Sequence, residues 1–186
     1  WNGSNWTEVG DLNDGRSELA GFGSITAAVA AGGDSPGVTA NVEIWNGSNW
    51  TETTNLATAR NNLSGSGTSS LGVVMGGTTG SLTNATEEFT GAGQPVGAWS
   101  TGGNLNTARE NLGGAGASGT AALAFGGAPP GNPALAVTES YNGTNWTEVN
   151  DLNDGRYGLA GAGTFTAALA IAGGEDPGVY KKITVF

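Results

Sequence analysis

The chain has 186 residues, 35 of them Gly, and its 6 Lys+Arg stand against 16 Asp+Glu for a formal net charge of −10. That balance argues against a nucleic-acid surface or an anionic-membrane binder, and no apolar run approaches the ~18 residues of a membrane span. Cys and His are both absent, which removes disulfides, thiol chemistry, zinc sites of the usual kind and every His-based triad.

In chain order, the first predicted strand covers 6–9, a Trp-Thr-Glu-Val run. A small-residue strand follows at 19–24, then an apolar one at 26–31 that ends in Gly32-Gly33. After a Gly/Pro-containing loop, 41–45 alternates and runs into Asn46-Gly47, the strongest short hairpin signal because both residues tolerate positive φ. The same series returns at 63–68 and 71–75, at 112–117, 121–125 and 137–141, and at 159–164 and 166–172. A last strand is predicted at 181–186, and 146–149 repeats the Trp-Thr-Glu-Val run of 6–9.

These elements are copies of one unit. Trp6, Trp50, Trp99 and Trp146 are each followed ten residues later by an Arg: Arg16, Arg60, Arg109 and Arg156, the only arginines present. Double glycines come 16 or 17 residues after each Arg, and an aromatic 13 to 15 residues beyond those, at Trp45, Phe89, Tyr141 and Phe186, with Trp1 in the same column. The repeats run 1–44, 45–88, 89–140 and 141–186, a mean period of about 46 residues, which suits propeller blades of four strands. Helical repeats of that length need apolar stripes with a 3.6-residue period, and the glycine content opposes helix interiors.

The expected fold is therefore all-β: a four-bladed β-propeller of four-stranded antiparallel blades, with the N-terminal strand 6–9 completing the last blade. Crowding at the axis of so small a ring explains Gly-Ser-Gly and Gly-Ala-Gly in the innermost strands. Residue 1 is Trp and the only Met is Met75. The single domain 1–186 thus reads as one unit of a longer chain or assembly. An apolar strand ending in Gly-Gly, an aromatic about 13 residues on, a Trp beyond it, then Leu-x-x-x-Arg resembles the kelch repeat. The resemblance spans the whole chain and implies a propeller used as an interaction scaffold. The sequence departs from it in blade number, in Trp-Asn-Gly or Tyr-Asn-Gly at the aromatic, and in the insertion 91–97.

Each repeated residue has a structural and a functional reading. The arginines bind backbone carbonyls or a Glu between neighbouring blades, or else grip an anion at one rim; recurrence at a fixed distance from Trp favours structure. Their acidic partners are either Glu43, Glu87 and Glu139 or Glu8, Glu52 and Glu148. The Trp columns read as packing between sheets, with Trp1 and Trp45 the ones expected to face solvent in part. Asp11, Asp14, Asp151 and Asp154 are calcium candidates, although the runs holding them are too short for an EF-hand loop and are good turn formers. Eight Asn-x-Ser/Thr sequons occur, at Asn2, Asn5, Asn46, Asn49, Asn62, Asn84, Asn142 and Asn145. Asn2, Asn46, Asn84 and Asn142 stand as glycosylation candidates, and the Thr/Ser-rich loop 78–86 as a carrier of O-linked sugars.

No catalytic constellation and no cofactor site is expected, and Lys181-Lys182 is isolated. The expected role is a non-enzymatic extracellular or surface-displayed structural module. Its partners would be copies of itself, through strand exchange or end-to-end packing, in a fibre or tandem array. The alternative is an adhesin-like module that recognises glycans or protein through the variable loops 34–39, 78–83, 128–134 and 175–178.

Overall fold

The computed structural model describes residues 2–91, 97–129 and 133–175, with 179–180 and 184–185 as backbone. Trp1, most of the 91–97 insertion, Lys181, Lys182 and Phe186 lie outside the described residues, as do parts of the loops 128–134 and 175–178. No helix forms among the described residues, and apart from one two-stranded hairpin the strands fall into four antiparallel sheets that follow one another along the chain. Blade 1 holds β1 (Ala20–Ser24), β2 (Ala27–Ala31), β3 (Val42–Trp45) and β4 (Trp50–Glu52), paired in that order. Blade 2 repeats it with β5 (Ser64–Thr68), β6 (Leu71–Met75), β7 (Thr86–Thr90) and β8 (Ala98–Thr101). Blade 3 does so with β9 (Gly113–Ser118), β10 (Ala121–Phe125), β11 (Thr138–Tyr141) and β12 (Trp146–Glu148). In blade 4, β13 (Ala160–Thr164) and β14 (Ala167–Ile171) are followed by a small hairpin of β15 (Gly174–Glu175) and β16 (Val179–Tyr180). The sheet itself continues from β14 to β17 (Thr184–Val185). The molecule is all-β and propeller-like with four blades, as the repeat predicts.

The core lies between blades. Phe22, Val29, Ala31 and Val42 on one face of blade 1 meet Leu56 and Leu63 of the chain leading into blade 2 and Val74 and Phe89 of blade 2 itself. Val73 and Met75 of blade 2 meet Leu105, Leu112, Ala122 and Ala124. Leu123 and Phe125 of blade 3 meet Leu152, Leu159, Ala168 and Ala170. The sheets of blades 2 and 3 thus bury both faces and those of blades 1 and 4 bury one, which the period-2 pattern of small and aliphatic residues supplies. Small residues decide how closely sheets approach. The ring of Phe22 occupies the space over Gly72, where an added Cβ would stand 2.1 Å from the ring.

A backbone ladder fastens each junction. Gly33 N–H donates to Arg60 O at 2.9 Å, Gly77 to Arg109 at 2.9 Å, and Gly127 to Arg156 at 2.7 Å. Two residues after each Arg the chain turns left-handed, at Glu18, Asn62, Asn111 and Gly158, with φ of 53 to 63°. There the N–H of Asn62 reaches Glu18 O, that of Asn111 reaches Asn62 O, and that of Gly158 reaches Asn111 O, at 2.8 to 2.9 Å. The sequence reading missed this column. Asn twice and Gly once at one repeat position is its only trace, since those residues accept a left-handed backbone most readily.

One expectation is corrected. Residues 6–9 join no ladder among the described residues, and blade 4 has three strands there rather than four. Nor does any hydrogen bond repeat the junction pattern between blade 4 and blade 1: the Glu18 N–H donates none to Gly158 O, and Arg16 O accepts none from the Gly173 N–H. The fold has three closed junctions and two open end faces. The physical reason lies in the junction itself. Ala160 and Ala162 of blade 4 are exposed and Leu12 and Leu19 before blade 1 only half-buried, so the side chains that fill the other three junctions have no facing sheet here.

Candidate functional site

The arginine column is structural. Arg16 precedes β1 and reaches across the sheet to Glu43 on β3, Nη1 to Oε1 at 2.7 Å. Arg60 does the same with Glu87 at 2.8 Å, and Arg109 pairs with Glu139. The choice left open by the sequence is thereby made: Glu43, Glu87 and Glu139 are the partners, while Glu8, Glu52 and Glu148 are exposed. The pairs sit inside one repeat rather than between neighbouring blades, because the third strand of the same sheet brings the Glu back beside the Arg, and all six side chains are almost fully buried. The second carboxylate oxygen accepts a backbone N–H from the loop leading in, that of Asn13, Ala57 or Asn106. Thr184 takes the Glu register position in blade 4, opposite Ala170.

Burial raises the Glu43 carboxyl, but the Asn13 N–H, the Arg16 guanidinium, the Asn13 amide and the Asp14 N–H outweigh it and hold it below its ordinary 4.5. A carboxyl depressed in the folded state stabilises the fold above its unfolded value and loses that contribution as pH falls through the folded one. Urea denaturation is therefore expected to show stability declining as pH drops below 4.5. Glu43→Gln should remove part of that slope. An unchanged slope would show that the pairing leaves the carboxyl unperturbed. Burial also lowers the Arg60 guanidinium against the opposing pull of Glu87. Burial and the Glu88 carboxylate push the Tyr141 phenol up to about 12.

The aromatic columns pair within each blade, tilted for Trp45 with Trp50 and Phe89 with Trp99 and stacked for Tyr141 with Trp146, at centroid distances of 5.5, 4.9 and 4.8 Å. The solvent-facing ring differs from the expectation: Trp45 is buried and donates Nε1–H to Ile25 O, whereas Trp6 is 84% exposed. Trp45 is covered because Trp50 and the Gly10 backbone close over it.

The calcium candidates separate. Asp14 accepts from Ser35 Oγ and Asn41 Nδ2, and Asp151 accepts the Thr138 N–H. Asp11 and Asp154 are exposed, and no three acidic side chains converge among the described residues. Asn2, Asn46 and Asn142 are exposed, their Oδ1 atoms holding the tight turns 2–5, 46–49 and 142–145. Asn84 is half-buried and donates to Leu105 O. The loop 34–39 is a closed turn in which Asp34 Oδ1 takes the Gly37 N–H. Glycines of all four innermost strands, with Phe22, Ser66, Ala115 and Ala162 between them, line an axial cavity of ≈ 270 Å³.

What remains unused is the pair of end faces. The outer face of blade 1 carries an apolar groove of ≈ 520 Å³ lined by Leu12, Leu19, Gly23, Ile25, Ala28 and Trp50. Leu12 and Leu19 are half-buried there, although their repeat equivalents Leu56, Leu63, Leu105, Leu112, Leu152 and Leu159 are all buried inside junctions. At the other end Ala160 and Ala162 are exposed and Leu169 and Ile171 half-buried, in the columns that elsewhere bury Phe22, Val29 and Phe125. Sequence columns could have marked both faces, but only if the ring had not been assumed to close.

No family model matches the chain, and no curated protein does. Among solved structures it is similar to one described as "Structure of YjhT", with a TM-score of 0.76 at 12% identity, covering 94% of this chain and 70% of that one. The likeness is one of fold. It supports a propeller-like architecture.

Proposed function

We propose that this chain is a non-enzymatic structural module of kelch-like repeats that joins head to tail into a fibre or tandem array outside the cell. One observation carries the reading: the exposed face of blade 1 and the exposed face of blade 4 are the two halves of a junction that the molecule makes three times internally. Ala162 opposite Ala28 would repeat the small-residue packing of Ala115 with Ala168 in the third junction. Leu169 and Ile171 would cover Leu12 and Leu19 as Leu123 and Phe125 cover Leu152 and Leu159. Such a contact is heterologous and propagates unless its rotation closes. A chain lacking Cys and rich in exposed Asn, Thr and Ser suits display outside the cell.

Sedimentation velocity on the 186-residue chain tests it, with negative-stain imaging of the same samples. Mass should grow with concentration beyond 18.3 kDa into periodic rods. Added salt should favour growth by screening the net charge of −10 on each unit. Ala162→Arg, placed on an exposed side chain, should leave the fold intact and stop growth. A single 18.3 kDa species at every concentration would overturn the reading.

A further inference from the structure

We infer that the joint is completed by strand donation: residues 6–9 of one copy form the missing outer strand of blade 4 in the next copy, on the edge of β17. This rests on the end-to-end reading and names the contact that would lock it. The segment has the sequence of that strand, since Trp-Thr-Glu-Val at 6–9 repeats at 146–149, where β12 pairs with β11. Its turn is preformed. Asn2 N–H donates to Asn5 O at 3.2 Å, and Asn2 Oδ1 accepts the Ser4 and Asn5 N–H groups, as Asn46 does for β3 and β4.

The recipient is equally prepared. Register places Thr184 opposite Ala170 and Val185 opposite Leu169, as Glu43 stands opposite Ala30 and Ile44 opposite Val29. β17 therefore occupies the place of β3, with its outer edge open among the described residues. Carrying over Glu43↔Glu52 and Ile44↔Thr51 gives Thr184↔Glu8 and Val185↔Thr7. Position brings the two together. Trp50 Nε1–H holds Gly10 O at 3.1 Å, as Trp99 holds Thr54 O, which aims residues 6–9 away from blade 1 toward the site of a preceding blade. A copy whose blade 4 fills the groove over Ala28 presents β17 at that site. Each open edge removed this way is one less template for irregular aggregation.

The pairing makes a claim about single amides. The Thr53 N–H bonds Val42 O in blade 1, and hydrogen-bonded pairs alternate along an antiparallel ladder, so Thr51 donates inward and Glu52 does not. By the same register Thr7 N–H points at Val185 O and Glu8 N–H points away. Amide exchange on the full chain, read across a concentration series, should show Thr7 protected as assembly proceeds and Glu8 exchanging throughout. Thr7→Pro lies in an exposed segment and should leave the fold unchanged while weakening association about tenfold, the loss of one interfacial hydrogen bond. Assembly that proceeds with Thr7 exchanging freely and with Thr7→Pro silent would overturn donation and leave face packing standing. Protection of Thr7 in a monomer would overturn it in favour of ring closure within one chain. Absence of any assembly, with Thr7 exchanging, would remove both readings.

Discussion

Arg109→Ala is expected to lower the unfolding free energy by about 3–5 kcal/mol, measured by urea denaturation at neutral pH. Arg109 and Glu139 are fully buried, and the guanidinium also bonds Thr107 O and Ala124 O at 3.2 Å each. Removing it leaves a carboxylate in the sheet with only the Asn106 N–H and side-chain amide, both at 2.7 Å, to stabilise it. The cost comes from that stranded charge more than from lost attraction, because Arg109 Nε has no partner and the pair is incompletely compensated even when intact. Arg109→Met combined with Glu139→Gln should therefore recover about 1–2 kcal/mol of the loss, as Gln still accepts from Asn106 and carries no charge. A cost below about 1 kcal/mol for Arg109→Ala would mean the column is ornamental and would reopen an anion-binding role.

The second large effect concerns the axis. A Cβ at Gly161 on β13 would stand 2.1 Å from Gly114 O on β9 and 2.7 Å from the tip of Phe125. Backbone is the obstacle, so the strands themselves must part. Gly161→Ala is expected to cost about 3 kcal/mol, at the upper end of overpacking. Blade 4 should loosen first, with β13 and β14 amides losing exchange protection while β5 and β6 keep theirs. Gly158→Ala is the control: its φ is +63° and nothing lies within 4 Å of the added carbon. It should cost only about 1 kcal/mol, the strain of a left-handed Ala. Equal costs at the two sites would show that close approach of the inner strands is not what selects Gly there.

These tests bear on how the repeat produces function. The residues that recur most strictly in the sequence (Trp, Arg and the double Gly) are occupied in holding blades together. What is available to a partner is the set of repeat positions whose neighbouring blade is missing. Leu12 and Leu19 are half-buried and Leu56 and Leu63 are buried, although the four belong to the same two columns. The difference is one of position in the series. Function, on this reading, is the repeat's own junction offered to another molecule.

Local structure was largely legible in the sequence. Strands expected at 19–24, 71–75 and 121–125 form at 20–24, 71–75 and 121–125, because alternation around small residues and Asn-Gly turns act through the nearest backbone. The four-copy order and the structural place of Arg16, Arg60, Arg109 and Arg156 followed from spacing alone. Three features had to wait for the tertiary structure. Glu43, Glu87 and Glu139 took the arginines because β2 pairing with β3 sets them inside the sheet, whereas Glu52 and Glu148 point to solvent, a difference no spacing encodes. Trp45 was buried by Trp50 and by a turn that comes from the segment before blade 1. Whether the first and last blades meet could not be read from spacing either, because the junctions bring together residues far apart in the chain, such as Phe22 over Gly72 and Phe125 against Leu159. Short-range pattern determined the blades; packing between blades, a sum over residues far apart in the chain, determined the number of open faces.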